Sequence, residues 1–199
     1  MCGITGFFLS ENNQIDNMVN IAQSMGDKII HRGPDDCGVW VDDQLGIALT
    51  HRRLSILDLS PEGHQPMSTV SGRYVLSYNG EVYNFAGLRK QLVELGFVFR
   101  GNSDTEVILA AIDAWGLELA LKQFVGMFAF ALWDKKENNL HLVRDRLGIK
   151  PLYYGWEGKT NQSGGKRSLK GDPSQKVCEY NHPRRAFLRR LCGDCLRWR

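Results

Sequence analysis

Apolar residues along this chain fall into two rhythms, a period of two and a period near 3.6, and the switches between them mark its elements. Residues 3–9 (GITGFFL) read as a buried strand that starts just after Cys2. Residues 14–27 place Ile15, Met18, Val19, Ala22 and Met25 at helical spacing, with Gly26 and Asp27 disturbing the end. Gly33-Pro34 then breaks both periodicities, so His31–Asp35 reads as a loop. Residues 37–42 and 45–50 read as a strand pair joined near Asp43-Gln44, and 51–57 continue the second strand or leave it as a turn. Ser60–Pro66 reads as a surface loop.

The second half repeats the alternation with longer helices. Residues 73–78 predict a strand, and Asn79-Gly80 after it is the strongest short-range hairpin signal. Asn84 can cap a helix running to about Leu95, with Leu88, Leu92 and Leu95 on one stripe and Gly96 as its stop. Phe97–Arg100 reads as a short strand. Ser103 and Glu106 form a capping box for a helix over 104–115, followed by a second helical piece over 117–124. Strands over Met127–Trp133 and Leu140–Arg144 flank the polar turn Asp134–Asn139. Strands outnumber helices, and the helices lie between antiparallel hairpins. That pattern predicts an α+β fold with a largely antiparallel sheet.

Composition changes this picture at one place. The formal net charge of +3 is the sum of −4 over residues 1–156 and +7 over 157–199. The chain is therefore not a uniformly basic nucleic-acid binder. Residues 157–199 are rich in Gly, Ser and Arg and lack periodicity, so they read as an atypical basic tail, disordered or out of frame, behind a domain over 1–156. Cys178, His182, Cys192 and Cys195 have a spacing that zinc can use, but the segment has no core pattern, and no metal site is assigned. No apolar run approaches the roughly 20 residues of a membrane span. Five cysteines, an odd number, and the lack of a signal-peptide pattern point to a reducing, cytoplasmic setting.

The candidate chemistry starts at Cys2. Removal of Met1 would give one residue a nucleophilic thiol and a free α-amine as base, the N-terminal form of the nucleophile–base pair. Taken alone, Cys2 reads first as a small buried hydrophobe at a strand start. Asn79-Gly80 can be a turn, but a side-chain amide beside a backbone N–H is also the donor pair of an oxyanion hole. Arg52 and Arg53 can be a solvated pair. Alternation sends them to opposite faces, so one can enter a site and clamp a carboxylate with its planar fork. Asp104 suits a helix N-terminus electrostatically. It can also hold an ammonium group, with Glu81 assisting. Together such handles would define an α-amino acid substrate.

Seven motifs occur in order: Cys2-Gly3-Ile4, His31-Arg32-Gly33-Pro34-Asp35, Arg53-Leu54-Ser55-Ile56, Asn79-Gly80-Glu81-Val82-Tyr83-Asn84, Ser103-Asp104-Thr105-Glu106, Gly126-Met127-Phe128-Ala129-Phe130, and the run from Arg144 to Tyr154 (RDRLGIKPLYY). In this order they resemble the glutaminase domain of class II glutamine amidotransferases, most closely that of glutamine-hydrolysing asparagine synthetases. The resemblance implies the four-layer αββα sandwich of N-terminal-nucleophile hydrolases. It implies Cys2 as the nucleophile on the glutamine side-chain amide, with Asn79 and Gly80 stabilising the oxyanion. Arg53 would take the α-carboxylate, Asp104 and Glu81 the α-amine, and backbone around Leu54, Ser55, Ile56 and Leu57 would line the pocket. No cofactor is implied for this segment. ATP and Mg belong to the synthetase domain of the family, for which no motif is present here. Glutamine is the implied ligand, without nucleic acid or membrane, and full-length members allow a homodimer.

Overall fold

Alternation decides which way each strand faces, and the structure follows it closely. The structure is a computed structural model and describes residues 2–9, 16–56, 59–155, 189–191 and 195–197. Strands β1 (Gly3–Phe8), β2 (Asp36–Asp42) and β3 (Ile47–Arg53) form one antiparallel sheet in the order β1-β3-β2. Helix α1 (Met18–Lys28) covers one face of it, packing Met18 and Ala22 against Phe7 and Ala48. The even-numbered β3 residues turn toward this helix, where the Thr50 hydroxyl donates to Ala22 O at 3.1 Å. The odd-numbered ones turn away, and Ile47 and Leu49 meet Val75, Trp133 and Leu142 of a second sheet.

That second sheet contains β4 (Met67–Ser68), β5 (Tyr74–Val82), β6 (Gly126–Asp134) and β7 (Asn139–Arg144) in chain order. Its far face carries α2 (Phe85–Glu94), α3 (Asp104–Trp115) and α4 (Leu117–Gln123). Leu88, Leu92, Ile108, Ile112 and Phe124 pack there on Leu76, Phe130 and Leu132 of the strands. Each such fully buried large side chain contributes about 1.5–3 kcal/mol of hydrophobic stabilisation. The layers are thus helix, sheet, sheet, helix, the αββα sandwich expected from the motifs. Two further strands, β8 (Arg189–Leu191) and β9 (Cys195–Arg197), extend the sheet past β7 in the order β7-β9-β8. The sequence pattern assigned no element to that segment. The zinc-like set of Cys178, His182, Cys192 and Cys195 falls outside the residues whose side chains are described. Among the described residues no helix is long and apolar enough to cross a membrane, and no group of three or more metal-ligating side chains forms.

Four sequence expectations are corrected. Asn79-Gly80 is not a turn: β5 runs straight through it, with Asn79 opposite Ala129 and Gly80 opposite Phe128. A Cβ on Gly80 would collide with Met127 O and Phe128, so glycine is required there by the neighbouring strand β6. Phe97–Arg100 is not a strand. Its Phe97 and Phe99 do pack inward, but the Arg100 and Gly101 amides donate to the Glu106 carboxylate at 2.9 and 3.0 Å instead of to a strand partner. The capping box is therefore half formed, since Ser103 Oγ accepts from Glu106 N while Glu106 reaches other amides. Leu95, placed on the buried stripe of α2 by periodicity, is 59% exposed at the helix end.

Candidate active site

Cys2 sits one residue before β1, continuing the face of Ile4 that looks between the two sheets. β3 delivers the neighbouring group. Arg52 turns toward α1, where Nε donates to Gly26 O at 3.1 Å and the guanidinium pairs with Asp27. Arg53 turns to the inter-sheet side, where it is buried and Nη1 donates to Ser60 O at 2.8 Å. Alternation thus selects Arg53 for the site, and a Cβ on Gly63 would collide with its guanidinium.

A cavity of about 120 Å³ gathers these residues. Cys2, Arg53, Leu54, Ser55 and Ile56 line it together with Asn79, Gly80, Glu81 and Asp104. Nine of the ten residues singled out from sequence therefore meet at one place; the tenth, Leu57, lies outside the described residues. The Cys2 thiol lies 3.4 Å from the Leu54 amide that donates to it and 3.7 Å from Leu54 O. Burial pushes the thiol pKa up; the Leu54 N–H, the positive chain terminus and Arg53 pull it back in part. Buried Asn79 has a side-chain nitrogen without an acceptor among the described residues. A buried donor without a partner is unfavourable by about 1–3 kcal/mol, which folds retain where a ligand supplies the acceptor.

Asp104 enters at the start of α3, held by the Ser103 cap behind it. Its Oδ2 accepts from the Tyr78 hydroxyl at 2.6 Å and from Val82 N at 2.9 Å. Burial raises the carboxyl above its ordinary value against these two bonds, and Glu81 adds to the rise. A buried carboxylate raised in this way gains most from a cation placed beside it.

Sequence reasoning missed Gln65, Tyr78 and Lys150, which line the same cavity. Gln65 was hidden by the polar composition of Ser60–Pro66. In the fold it is buried, accepting from Tyr78 N at 2.8 Å and donating to Thr105 Oγ1 at 3.2 Å. Tyr78 alternates correctly as a core position, and nothing in a single sequence signals its hydroxyl's partner. Lys150 lies within the last motif and is buried; burial first, then Arg32, lowers its pKa.

A half-buried cysteine in one cavity with an arginine, a carboxylate and an amide donor unpartnered among the described residues, on an αββα sandwich, is an arrangement suited to nucleophilic cleavage of an amide. The fold is shared with glutamine phosphoribosylpyrophosphate amidotransferase from B. subtilis, at a TM-score of 0.59 and 21% identity over 75% of this chain and 38% of that one. A family model described as the glutamine amidotransferase domain matches residues 1–178, and the chain belongs to that family. It is 41% identical over 155 residues to asparagine synthetase [glutamine-hydrolyzing] 1 of Bacillus subtilis, covering 77% of this chain and 24% of that protein. It is 37% identical over 174 residues to a putative asparagine synthetase [glutamine-hydrolyzing] 2 of Methanocaldococcus jannaschii, covering 79% and 32%. The amidase chry2 of Gibberella zeae is 40% identical over 162 residues, covering 77% and 24%. The chain spans about a quarter to a third of the length of these curated relatives.

Proposed function

We propose that this domain hydrolyses the side-chain amide of glutamine at Cys2 and supplies the ammonia for asparagine synthesis from aspartate and ATP in a longer protein. The observation that carries the reading is the meeting of Cys2, Arg53, Asp104 and the unpartnered Asn79 amide in one cavity. In this reading Arg53 takes the α-carboxylate, and Asp104 with Glu81 takes the α-ammonium. Cys2 then attacks the amide carbon, its proton passing to the α-amine freed by loss of Met1. The Asn79 amide and Gly80 N–H stabilise the oxyanion. The C–N bond breaks, the departing nitrogen takes the proton and leaves as ammonia, and a γ-glutamyl thioester remains. Water attacks the thioester, releasing glutamate and restoring the thiol. The similarity to glutamine-hydrolysing asparagine synthetases supports aspartate as the acceptor; ATP and Mg then belong to a part of the protein outside this chain.

The test is glutamate release from glutamine, with the N-terminal mass checked for loss of Met1. Cys2→Ala abolishes it, and Asn79→Ala lowers kcat by about 10²–10³, the usual effect of removing one oxyanion donor. A folded protein with processed Cys2 and no Cys2-dependent glutamate release overturns the reading and leaves a catalytically inert domain.

A further inference from the structure

Tyr78 is tied at every polar atom it has. Its hydroxyl donates to Asp104 Oδ2 at 2.6 Å, its amide donates to Gln65 Oε1 at 2.8 Å, and its carbonyl lies 3.0 Å from His51 Nε2. A carbonyl can only accept, so His51 carries its proton on Nε2. Burial lowers the pKa of that histidine to about 4, so it is neutral at pH 7. Strand β4 pairs with β5 only at Val75 and Leu76, so beyond them these two buried side chains do for Tyr78 what a neighbouring strand would do. Gln65 also bonds Thr105, the residue after Asp104. Strand β3, the 60–66 segment and α3 therefore converge on one residue, and the next residue along β5 is Asn79.

The two faces of β5 make this arrangement consequential. Tyr78 points to the helix layer, where it packs with Phe130. Asn79 points the other way. The Tyr78 hydroxyl and the Val82 amide meet the same carboxylate oxygen, which fixes the rotation of the Asp104 side chain and sets the direction of Oδ1. One dipeptide thus links the candidate acceptor for a substrate ammonium to the candidate oxyanion donor. A ligand held at both must match the spacing between them.

We propose that Tyr78 is a positioning residue that aims the Asp104 carboxylate at the substrate α-ammonium and fixes its distance from the Asn79 amide. This rests on the glutaminase reading above. It predicts that Tyr78 acts only on substrates that carry the ammonium group. Glutaramate, which is glutamine without its α-amine, supplies the comparison.

The experiment measures binding of L-glutamine and of glutaramate to Cys2→Ala protein, with and without Tyr78→Phe, and steady-state kinetics with Cys2 intact. Tyr78→Phe weakens glutamine binding and raises its KM about tenfold, in the range of one hydrogen bond to a charged group, with kcat within about twofold. Glutaramate binding and turnover stay unchanged. In Asp104→Asn protein the further change Tyr78→Phe takes away nothing more. Equal losses for both ligands show a merely structural tyrosine and overturn the proposal, as does an unchanged glutamine affinity. Glutamine binding without Cys2-dependent turnover overturns the glutaminase reading alone, and no glutamine binding to wild-type protein overturns both.

Discussion

Two buried aspartates mark opposite ends of the paired strands β5 and β6, and they are in opposite electrostatic states. Asp134 closes the far end. Arg73 meets it with Nε at 3.1 Å and Nη2 at 2.7 Å, and the Lys136 and Glu137 amides donate at 3.0 and 3.2 Å. Burial alone would raise its pKa, but the Arg73 bonds, helped by these amides, outweigh it and hold the carboxyl below its ordinary value. Asp104, at the cavity end, has a tyrosine hydroxyl and one amide on a single oxygen, and burial keeps its pKa raised. The same residue type therefore stabilises the fold at one end and carries unrelieved charge at the other. Full satisfaction marks Asp134 as part of the scaffold. Partial satisfaction in a cavity is what a binding group for a cation requires.

Asparagine substitutions separate the two. Asp104→Asn keeps an oxygen for Tyr78 and Val82 but loses the charge. We expect kcat/KM for glutamine to fall at least a hundredfold, as truncation of a buried charge pair with a ligand does. Stability should move by no more than about 1 kcal/mol, because relief of the buried charge opposes the loss of an acid from the first turn of α3. Glutaminase kinetics and urea unfolding on one preparation decide this. A loss of several kcal/mol would make Asp104 a scaffold residue like its counterpart.

Asp134→Asn reverses the pattern. One charge-assisted bond to Arg73 is lost at a site where Asp134 is 3% exposed. The expected cost is about 1.5–3 kcal/mol, with KM for glutamine unchanged. A raised KM would mean that the far end of the ladder reaches the cavity, and the contrast would fail.

The site was more legible in the sequence than the sheet edges were. Cys2, Arg53, Asn79 and Asp104 belong to short local motifs; alternation put Arg52 and Arg53 on opposite faces, and the motif resemblance pointed to Arg53. The α+β class followed from the two periodicities, whereas the four-layer αββα arrangement came only from the motif resemblance. What failed depends on neighbours distant in sequence. Asn79-Gly80 scores as a turn locally, yet β6 packs so tightly on Gly80 that the pair stays in the strand. Phe97–Arg100 alternates like a strand but has no ladder partner, because the amides of Arg100 and Gly101 go to Glu106. The 60–66 segment looks like solvent-facing polar loop. It is instead held against β2, where a Cβ on Gly38 would collide with Gln65 O, and so Gln65 reaches Tyr78.

The smallest expected effect is also the sharpest form of the comparison, because it turns on sign. Asp134 has a depressed folded pKa. Its stabilisation is therefore complete above the ordinary carboxylate value and is lost as pH falls through the depressed one. Asp104 has a raised folded pKa. Its charge weakens the fold above that raised value, and the penalty disappears as pH falls through it. The stability difference between wild type and Asp134→Asn should thus hold steady on acidification until pH drops below the ordinary carboxylate range, then shrink. The difference between wild type and Asp104→Asn should change earlier, at higher pH, in the direction of a relatively more stable wild type. Urea unfolding of the three proteins at closely spaced acidic pH values reads both curves. If the two differences bend at the same pH, the carboxylates are in equivalent environments. The distinction between a satisfied scaffold acid and a ligand-ready one would then be lost.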